Sequence, residues 1–320
     1  MFKPILTRIE TAQRFLVCSH GSPDGDAIAS SLALRLVLQE MGKEVVVFNI
    51  DGVPGPFNFL PGAEAVVTDL DGEKPFDLGF VLDAGDLQRA GGDAIRSRCD
   101  SLANIDHHPH SEEFGEFHIV DTGVCATAVL IYRLLKEARH PLSSGIAVCI
   151  YTAILADTGS FRYSNANPEA FFVAGEMVSK GVDVWGVASA LFETQEEKRL
   201  RLLAEVLQTL EVSSCGRYAS ICSTLDMMRR TGSGPEHTDG FINYPRSVSG
   251  VEVAIFFREV ADLKFKVGFR SKGKIDVGEV ARLLGGGGHH NAAGAVVEGP
   301  YASVRGMVSD RIAEMLDGRS

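Results

Sequence analysis

Short apolar runs alternate with helix-length amphipathic segments through the first half of this chain, and that alternation constrains the fold more than any other feature. Residues 15–19, 45–49, 76–82 and 101–105 are strand-length runs. Residues 27–41, 125–138 and 143–155 carry helical patterning. A β-α-β alternation of this kind predicts an α/β fold with a doubly wound, mainly parallel sheet and helices on both faces. In such sheets ligands bind beyond the carboxyl ends of the strands. Residues 183–210 read as one long helical stretch with a charged centre at 193–201, serving as a connector. Beyond it, residues 218–223, 251–259 and 263–270 read as strands of a smaller α/β domain, with helices at 276–284 and 304–316. The loop 231–239 is Gly/Pro/polar and is expected to be mobile. The expected domains are therefore 1–190 (catalytic and metal-binding), 191–213 (helical connector) and 214–320 (substrate-binding).

Several function classes drop out on composition. The chain has 320 residues, 45% hydrophobic and 23% charged, enough for two ordinary cores. It contains no apolar run of about 18 residues, so no membrane span is expected. The first ten residues lack an apolar signal core and read as a helix start. Six cysteines are scattered without a CxxC pair, which suits reduced thiols in a cytoplasmic protein. The net charge of −11 argues against a long duplex-binding surface. It is uneven: residues 1–213 hold 17 basic and 30 acidic residues (17 − 30 = −13), and residues 214–320 hold 14 and 12 (14 − 12 = +2). The acidic part suits divalent cations, and the remainder tolerates a phosphorylated ligand.

Four clusters of His and Asp fall at or near the ends of these elements. His20-Gly-Ser-Pro-Asp24-Gly-Asp26 occupies a strand-to-helix turn. Oxygen and nitrogen donors without thiolate suit Mn²⁺ or Mg²⁺, with Zn²⁺ or Co²⁺ as alternatives. The competing role for Asp24 or Asp26 is an N-cap for the following helix. Asp83 follows Leu-Gly-Phe-Val-Leu, where an unpaired carboxylate would be costly. It is the natural bridging ligand, and Asp86 is the better turn residue. Asp106-His107-His108 offers two imidazoles pointing in different directions, one for metal and one for substrate, with Asp106 able to orient a ring. Asp157 ends a helical run, where a carboxylate is electrostatically unfavourable and function is a better account. His110 and His118 read as structural or solvent-facing. Clustered carboxylates and imidazoles of this kind are what a two-metal phosphodiester hydrolase requires.

Near the C-terminus, Gly285-Gly-Gly-Gly-His289-His-Asn-Ala-Ala-Gly294 follows a predicted helix. Gly287 and Gly288 would let backbone N–H groups face an anion, and His289 adds a side-chain donor. Arg270 and Ser271 end a strand upstream and could join the same site. The competing reading is a glycine-rich turn capping the helix.

These motifs closely resemble the DHH/DHHA1 phosphoesterase family over nearly the whole chain. His20-x3-Asp24-x-Asp26, Asp83, Asp106-His107-His108 and Asp157 match its metal-binding motifs. Gly286-Gly-Gly-His289-His-Asn-Ala-Ala-Gly294 matches the DHHA1 signature. The resemblance implies one metal on His20, Asp24 and Asp83, and a second on Asp26, Asp83, His107 and Asp157. It implies that His108 contacts the scissile phosphate and helps to protonate the leaving group, with Asp83 and Asp106 completing the catalytic set. It further implies that Arg270, Ser271, Gly287, Gly288 and His289 hold another substrate phosphate. His110 departs from the family pattern, which has Asn there. The length and the run Gly-Ser-Phe-Arg-Tyr-Ser-Asn are most similar to short members that cleave oligoribonucleotides of about two to five nucleotides and remove the 3′-phosphate of pAp. The implied cofactors are two divalent ions, Mn²⁺ first, with Mg²⁺ or Co²⁺ as alternatives. The implied partners are short RNA or nucleotides such as pAp, without membrane or long duplex; a homodimer is compatible. A cyclic dinucleotide or its linear product pApA is the alternative substrate, and a non-catalytic nucleotide sensor is the rival class.

Overall fold

The chain enters through helix α1 (Lys3–Thr11), whose Ile5 and Ile9 turn inward, and passes into strand β1 (Arg14–Ser19). Helix α2 (Gly25–Glu40) follows, then β2 (Glu44–Phe48), β3 (Val66–Val67) and β4 (Leu78–Leu82). Two short helices, α3 (Leu87–Ala90) and α4 (Asp93–Arg96), lead to β5 (Leu102–Asp106) and β6 (Phe117–Val120). Helices α5 (Thr127–Ala138), α6 (Ser144–Asp157), α7 (Pro168–Ser179) and α8 (Val184–Phe192) complete this part. The structure, a computed structural model, describes residues 1–318. The chain divides into two units, Met1–Thr194 and Gln195 to the C-terminus.

In the first unit six strands pair in the order β3-β2-β1-β4-β5-β6, all parallel. The central strands β1 and β4 carry mostly apolar runs because both of their faces are covered. Phe15 and Val17 of β1 pack with α2, α5 and α6, while Leu16 and Cys18 pack on the other face with Leu87, Ala90 and Ile95. The doubly wound sheet expected from the alternation is thus present. The chain leaves β1 toward β2 on one side, and β4 lies on the other. The reversal of strand order therefore falls between β1 and β4, where this architecture opens a crevice at the strand ends.

The second unit begins with α9 (Glu197–Leu207), β7 (Glu211–Val212), β8 (Tyr218–Ser223), α10 (Leu225–Thr231) and α11 (Asn243–Ser247). It continues with β9 (Val253–Ala261), β10 (Lys264–Ser271), α12 (Val277–Leu283), β11 (Gly287–His289), β12 (Ala292–Glu298) and α13 (Tyr301–Leu316). Its sheet runs β11-β12-β10-β9-β8-β7, with only β8 and β9 parallel. One face packs on α12 and α13 through Val280, Val308 and Ile312. The other, over β8 and β9, packs on Leu202, Val206 and Phe241. No helix among the described residues is long and apolar enough to cross a membrane.

Three local expectations change. The stretch expected as one helix from 183 to 210 is two, α8 and α9, broken at residues 193–196, where Glu196 becomes the N-cap of α9. Leu202 and Val206 of α9 are buried within the second unit, so this segment is part of a core rather than a free connector. The loop expected to be mobile contains a short 3₁₀ turn, Pro235–Thr238, with His237 buried. His237 Nδ1 accepts from the Gly234 N–H at 3.0 Å, and Arg199 donates to the Asp239 carbonyl at 2.8 Å. The glycine run is both a helix cap and a hairpin: Gly285 (φ +76°) ends α12, with the Gly285 and Gly286 N–H groups donating to the Arg282 and Ala281 carbonyls at 3.0 and 2.8 Å, and Gly287–His289 then pairs with Ala292–Gly294. A Cβ on Gly286 would lie 2.1 Å from the Gly294 carbonyl oxygen, and one on Gly288 (φ +143°) 2.4 Å from the Ala293 Cα. Only glycine permits that backbone approach.

Candidate metal centre

Four loops converge at the carboxyl end of the parallel sheet. After β1, His20 is buried and its Nδ1 lies 2.9 Å from the carbonyl oxygen of Gly21. A carbonyl only accepts, so Nδ1 carries the proton and Nε2 is left as a ligand atom. That nitrogen faces Asp24 Oδ1 at 3.9 Å and Asp83 Oδ2 at 3.8 Å. Asp24 also caps α2, accepting the N–H groups of Asp26 and Ala27 at 3.1 Å each. The oxygen that accepts both capping bonds, Oδ1, is also the one facing His20, and Oδ2 accepts neither of them.

Asp83 follows β4 in left-handed backbone, φ +57°, uncommon outside glycine but tolerated by Asp. Its Oδ1 accepts from the Thr127 hydroxyl at 3.0 Å and lies 3.3 Å from His107 Nε2. Its Oδ2 faces His20. The two oxygens therefore look toward two donor groups: His20 and Asp24 with Asp83, and His107 and His108 with Asp83. His107 Nε2 is also 3.8 Å from Asp26 Oδ2 and 3.9 Å from Asp157 Oδ2.

Asp26 lies in the first turn of α2, yet it serves another helix. It accepts the Thr127 and Ala128 N–H groups, the latter at 3.1 Å, and the Ser30 hydroxyl at 2.6 Å. The N-cap of α5, Ala126, has no capping side chain, so Asp26 fills that place and gains from the positive end of the helix. Gly25 makes the arrangement possible: a Cβ there would lie 2.4 Å from the Ala156 Cβ and 2.9 Å from the Phe57 ring. This close approach of α2 to α6 brings Asp26 toward Asp157. Asn165 Nδ2 steadies Asp157, donating to its Oδ2 and its carbonyl at 3.1 Å each.

Asp106 is fully buried. Its Oδ1 accepts the His107 and His108 N–H groups at 2.7 and 3.1 Å and lies 2.7 Å from His108 Nδ1; its Oδ2 accepts the Gly85 N–H at 3.0 Å. Grouped from sequence with the catalytic residues and also read there as able to orient a ring, it contacts the His108 ring directly. With Nδ1 bonded to Asp106, the Nε2 of half-exposed His108 is the reactive edge.

The electrostatics of this cluster ask for cations. Burial first, then the Asp26 charge, pushes Asp83 up to about 8. The same two causes push Asp157 up to about 7, and burial raises Asp26. Burial opposes charge on His107, but its hydrogen bond to Asp83 and the nearby carboxylates win and raise it to about 10. Carboxylates that hold protons near neutrality, in a site of oxygen and imidazole donors, fit divalent ions that would displace those protons. Metal binding should therefore strengthen with pH. Saturating Mn²⁺ is expected to raise the melting temperature more at about pH 8.5 than at about pH 6, where Asp83, Asp157 and His107 retain protons. Equal shifts at both values would show that the carboxylates are already ionised.

Sequence reasoning missed Thr127, Ser30, Gly25 and Asn165. The signal available was the run Cys-Ala-Thr-Ala-Val, a helix start without a capping residue of its own. Asp86, read as a turn residue, caps α3 through the Arg89 N–H at 2.8 Å. His118 contacts Asn104 at 3.4 Å and takes no part in the cluster.

The second unit groups the other predicted residues at one end of its sheet. Ala292 pairs with Arg270 on one side and His289 on the other, so all three side chains share a face. Gly268, Gly294 and Gly287 continue that face as a floor without side chains. Ser271 points the opposite way, is buried, and donates to Asn291 Oδ1 at 2.9 Å. Gly287 and Gly288 belong to the edge strand β11.

Comparisons with known proteins agree with this geometry. The model of the DHH family, N-terminal domain, matches residues 14–154, and that of the DHHA1 domain matches residues 223–317. The bifunctional oligoribonuclease and PAP phosphatase NrnA of Thermus thermophilus is 32% identical over 283 residues, covering 88% of this chain and 84% of its own. The protein of the same name from Bacillus subtilis is 28% identical over 298 residues, covering 92% of each chain. A crystal structure of an exopolyphosphatase-related protein from Bacteroides fragilis superposes with a TM-score of 0.92 at 29% identity, over 98% of this chain and 95% of that one. The chain belongs to the DHH/DHHA1 family and is an NrnA-type member of it.

Proposed function

We propose that this protein is a two-metal phosphoesterase that hydrolyses short oligoribonucleotides to mononucleotides and removes the 3′-phosphate of pAp. The observation that carries the reading is Asp83, whose two oxygens face separate histidine-containing donor groups. The similarity to relatives named oligoribonuclease and PAP phosphatase supports the substrate class. His20, Asp24 and Asp83 would hold one ion, and Asp26, Asp83, His107 and Asp157 the other, with Mn²⁺ the expected metal. When bound, such a pair supplies an acidified water and positive charge against the phosphoryl oxygens. Thr127 fixes the Asp83 carboxylate, and the N-terminus of α5 fixes Asp26. Asp106 holds the His108 ring and raises its affinity for a proton, so that Nε2 can deliver it to the leaving oxygen. Free thiols, four of them buried, accord with a reducing, cytoplasmic setting.

The test is a comparison of initial rates on pAp, pApA and a five-mer RNA with Mn²⁺, Mg²⁺ or Co²⁺. Turnover fastest on pAp or dinucleotides supports the reading. Preference for a cyclic dinucleotide moves the substrate class, and metal-dependent binding without turnover turns the protein into a sensor.

Within this reading the face around Ala292 holds a substrate phosphate other than the one attacked, with Arg270 and His289 as donors. Arg270→Ala and His289→Ala are each expected to lower kcat/KM on pAp or a dinucleotide by about 10–150-fold, the value of one charge-assisted hydrogen bond. On bis-p-nitrophenyl phosphate, which has a single phosphate, they should change little. Equal losses on both substrates would return the glycine hairpin to a purely structural role.

A further inference from the structure

The loop after β4 carries a cation that the reading above leaves unused. Arg89 is exposed and lies on α3, six residues beyond Asp83. Its backbone and side chain tie it to two of the ligand loops. Its carbonyl accepts the Gly21 N–H at 2.7 Å, beside His20. Its Nη1 donates to the Ala84 carbonyl at 3.0 Å, beside Asp83. The same nitrogen lies 3.4 Å from where a Cβ on Gly85 would stand, and the Gly85 N–H is bonded to Asp106, which holds His108. The Arg89 backbone is thus tied to the His20 turn, and its guanidinium to the Ala84–Gly85 segment that holds Asp106 and, through it, His108.

Arg89 forms no ion pair among the described residues, although Asp86, Asp51 and Asp106 are bonded to the backbone of its own helix and of the two loops it ties together. Each nearby carboxylate has backbone donors of its own. Asp86 accepts the Arg89 N–H at 2.8 Å, Asp51 accepts the Ser22 N–H at 2.6 Å, and Asp106 is saturated as described. One of the five N–H donors of the guanidinium is anchored on Ala84, which sets its direction and leaves a planar fork for an incoming anion. An unpaired guanidinium held at the rim of an acidic centre suits a ligand that brings negative charge of its own.

We propose that Arg89 binds the non-bridging oxygens of the phosphate undergoing hydrolysis, on the side of His108. It complements the Arg270 and His289 face, which would serve a different phosphate. The proposal rests on the phosphoesterase reading but not on the nucleotide preference, and the probe is chosen accordingly. It is bis-p-nitrophenyl phosphate, which any two-metal phosphodiesterase of this kind can be assayed on; an inactive wild type would fail the phosphoesterase reading before Arg89 was tested.

Arg89→Ala and Arg89→Lys leave intact the backbone bonds to Gly21 and Asp86. Arg89→Ala is expected to lower kcat/KM by about 10–100-fold on bis-p-nitrophenyl phosphate and on pAp alike, with Arg89→Lys intermediate. The Mn²⁺-induced rise in melting temperature should match that of wild type. Millimolar guanidinium ion should restore part of the Arg89→Ala activity, which a merely structural arginine would not show. Activity within about twofold of wild type on both substrates overturns the proposal. So does a loss confined to pAp, which would place Arg89 with the second phosphate. Loss of the Mn²⁺ shift overturns it too, since Arg89 would then act by supporting the ligand loops.

Discussion

Asp83→Ala is expected to abolish hydrolysis in saturating Mn²⁺ while the folded state persists, and activity above about 10% of wild type would overturn the two-metal reading. No other substitution in the centre should cost as much. Asp83 belongs to both donor groups, so its loss leaves His20 and Asp24 without a shared partner and His107 without its nearest carboxylate. The effect on the stability of the metal-free fold should be smaller than that of most core substitutions. A carboxyl whose folded pKa is about 8, against an unfolded value near 3.8, destabilises the metal-free fold once pH exceeds the unfolded value. That cost is absent below pH 3.8, grows through the interval, and is complete above pH 8. Removing the carboxyl relieves it, against which stand one lost hydrogen bond from Thr127 and a small cavity. The metal-free variant should therefore melt within a few degrees of metal-free wild type at about pH 8. Its melting temperature should no longer respond to Mn²⁺. Full activity with an intact Mn²⁺ response would sink the two-metal reading, and a variant that fails to fold is replaced by Asp83→Asn, which keeps the volume and should lose the same response.

The reasons for what was legible lie in particular residues. The parallel sheet could be read because β1, β4 and β5 are buried on both faces and so are mainly apolar, with Asn104 the one polar residue inside β5. Asp83 and Asp106 stood out because a carboxylate at the end of such a run demands an explanation. The supporting residues were not legible because their partners are remote in sequence. Thr127 meets Asp83 across 44 residues, and Ala128 meets Asp26 across 102. Nothing local in Ala-Thr-Ala announces a carboxylate from another helix, although the missing N-cap is its trace. The hairpin from Gly287 to Glu298 was missed for a different reason. Glycine has no strand propensity, and here it is required by backbone approach to Ala293 and Gly294, which only the paired geometry reveals. The break between α8 and α9 was hidden because residues 193–198, Glu-Thr-Gln-Glu-Glu-Lys, contain no Gly or Pro to mark it. Burial of Leu202 and Val206 in the second unit drew that segment away from a continuous helix.

His108→Ala is the second large effect, and it should separate from the first by leaving metal binding in place. The two adjacent histidines are held differently. His107 is mostly buried, with Nε2 within 3.9 Å of three carboxylates. His108 is half exposed and is bonded by Nδ1 to Asp106 at 2.7 Å, with its ring tilted 59° from that of His107. That hydrogen bond is the chief cause raising the pKa of His108, and with Nδ1 engaged the proton to be donated is the one on Nε2. Loss of a general acid of this kind is expected to lower kcat by about 10²–10⁴-fold. The pH profile gives the sharper signature. Wild-type activity should fall on the alkaline side as His108 loses its proton, and that limb should be absent from the residual activity of His108→Ala. Asp106→Asn removes the charge that raises the pKa, so the same limb should move to lower pH while His108 remains. The Mn²⁺ response of the melting temperature decides the assignment within the pair. Because His108 Nδ1 also lies 3.6 Å from Asp83 Oδ1, a ligand role is geometrically open to it. If His108→Ala loses the Mn²⁺ response and His107→Ala keeps it, the roles of the two rings are exchanged.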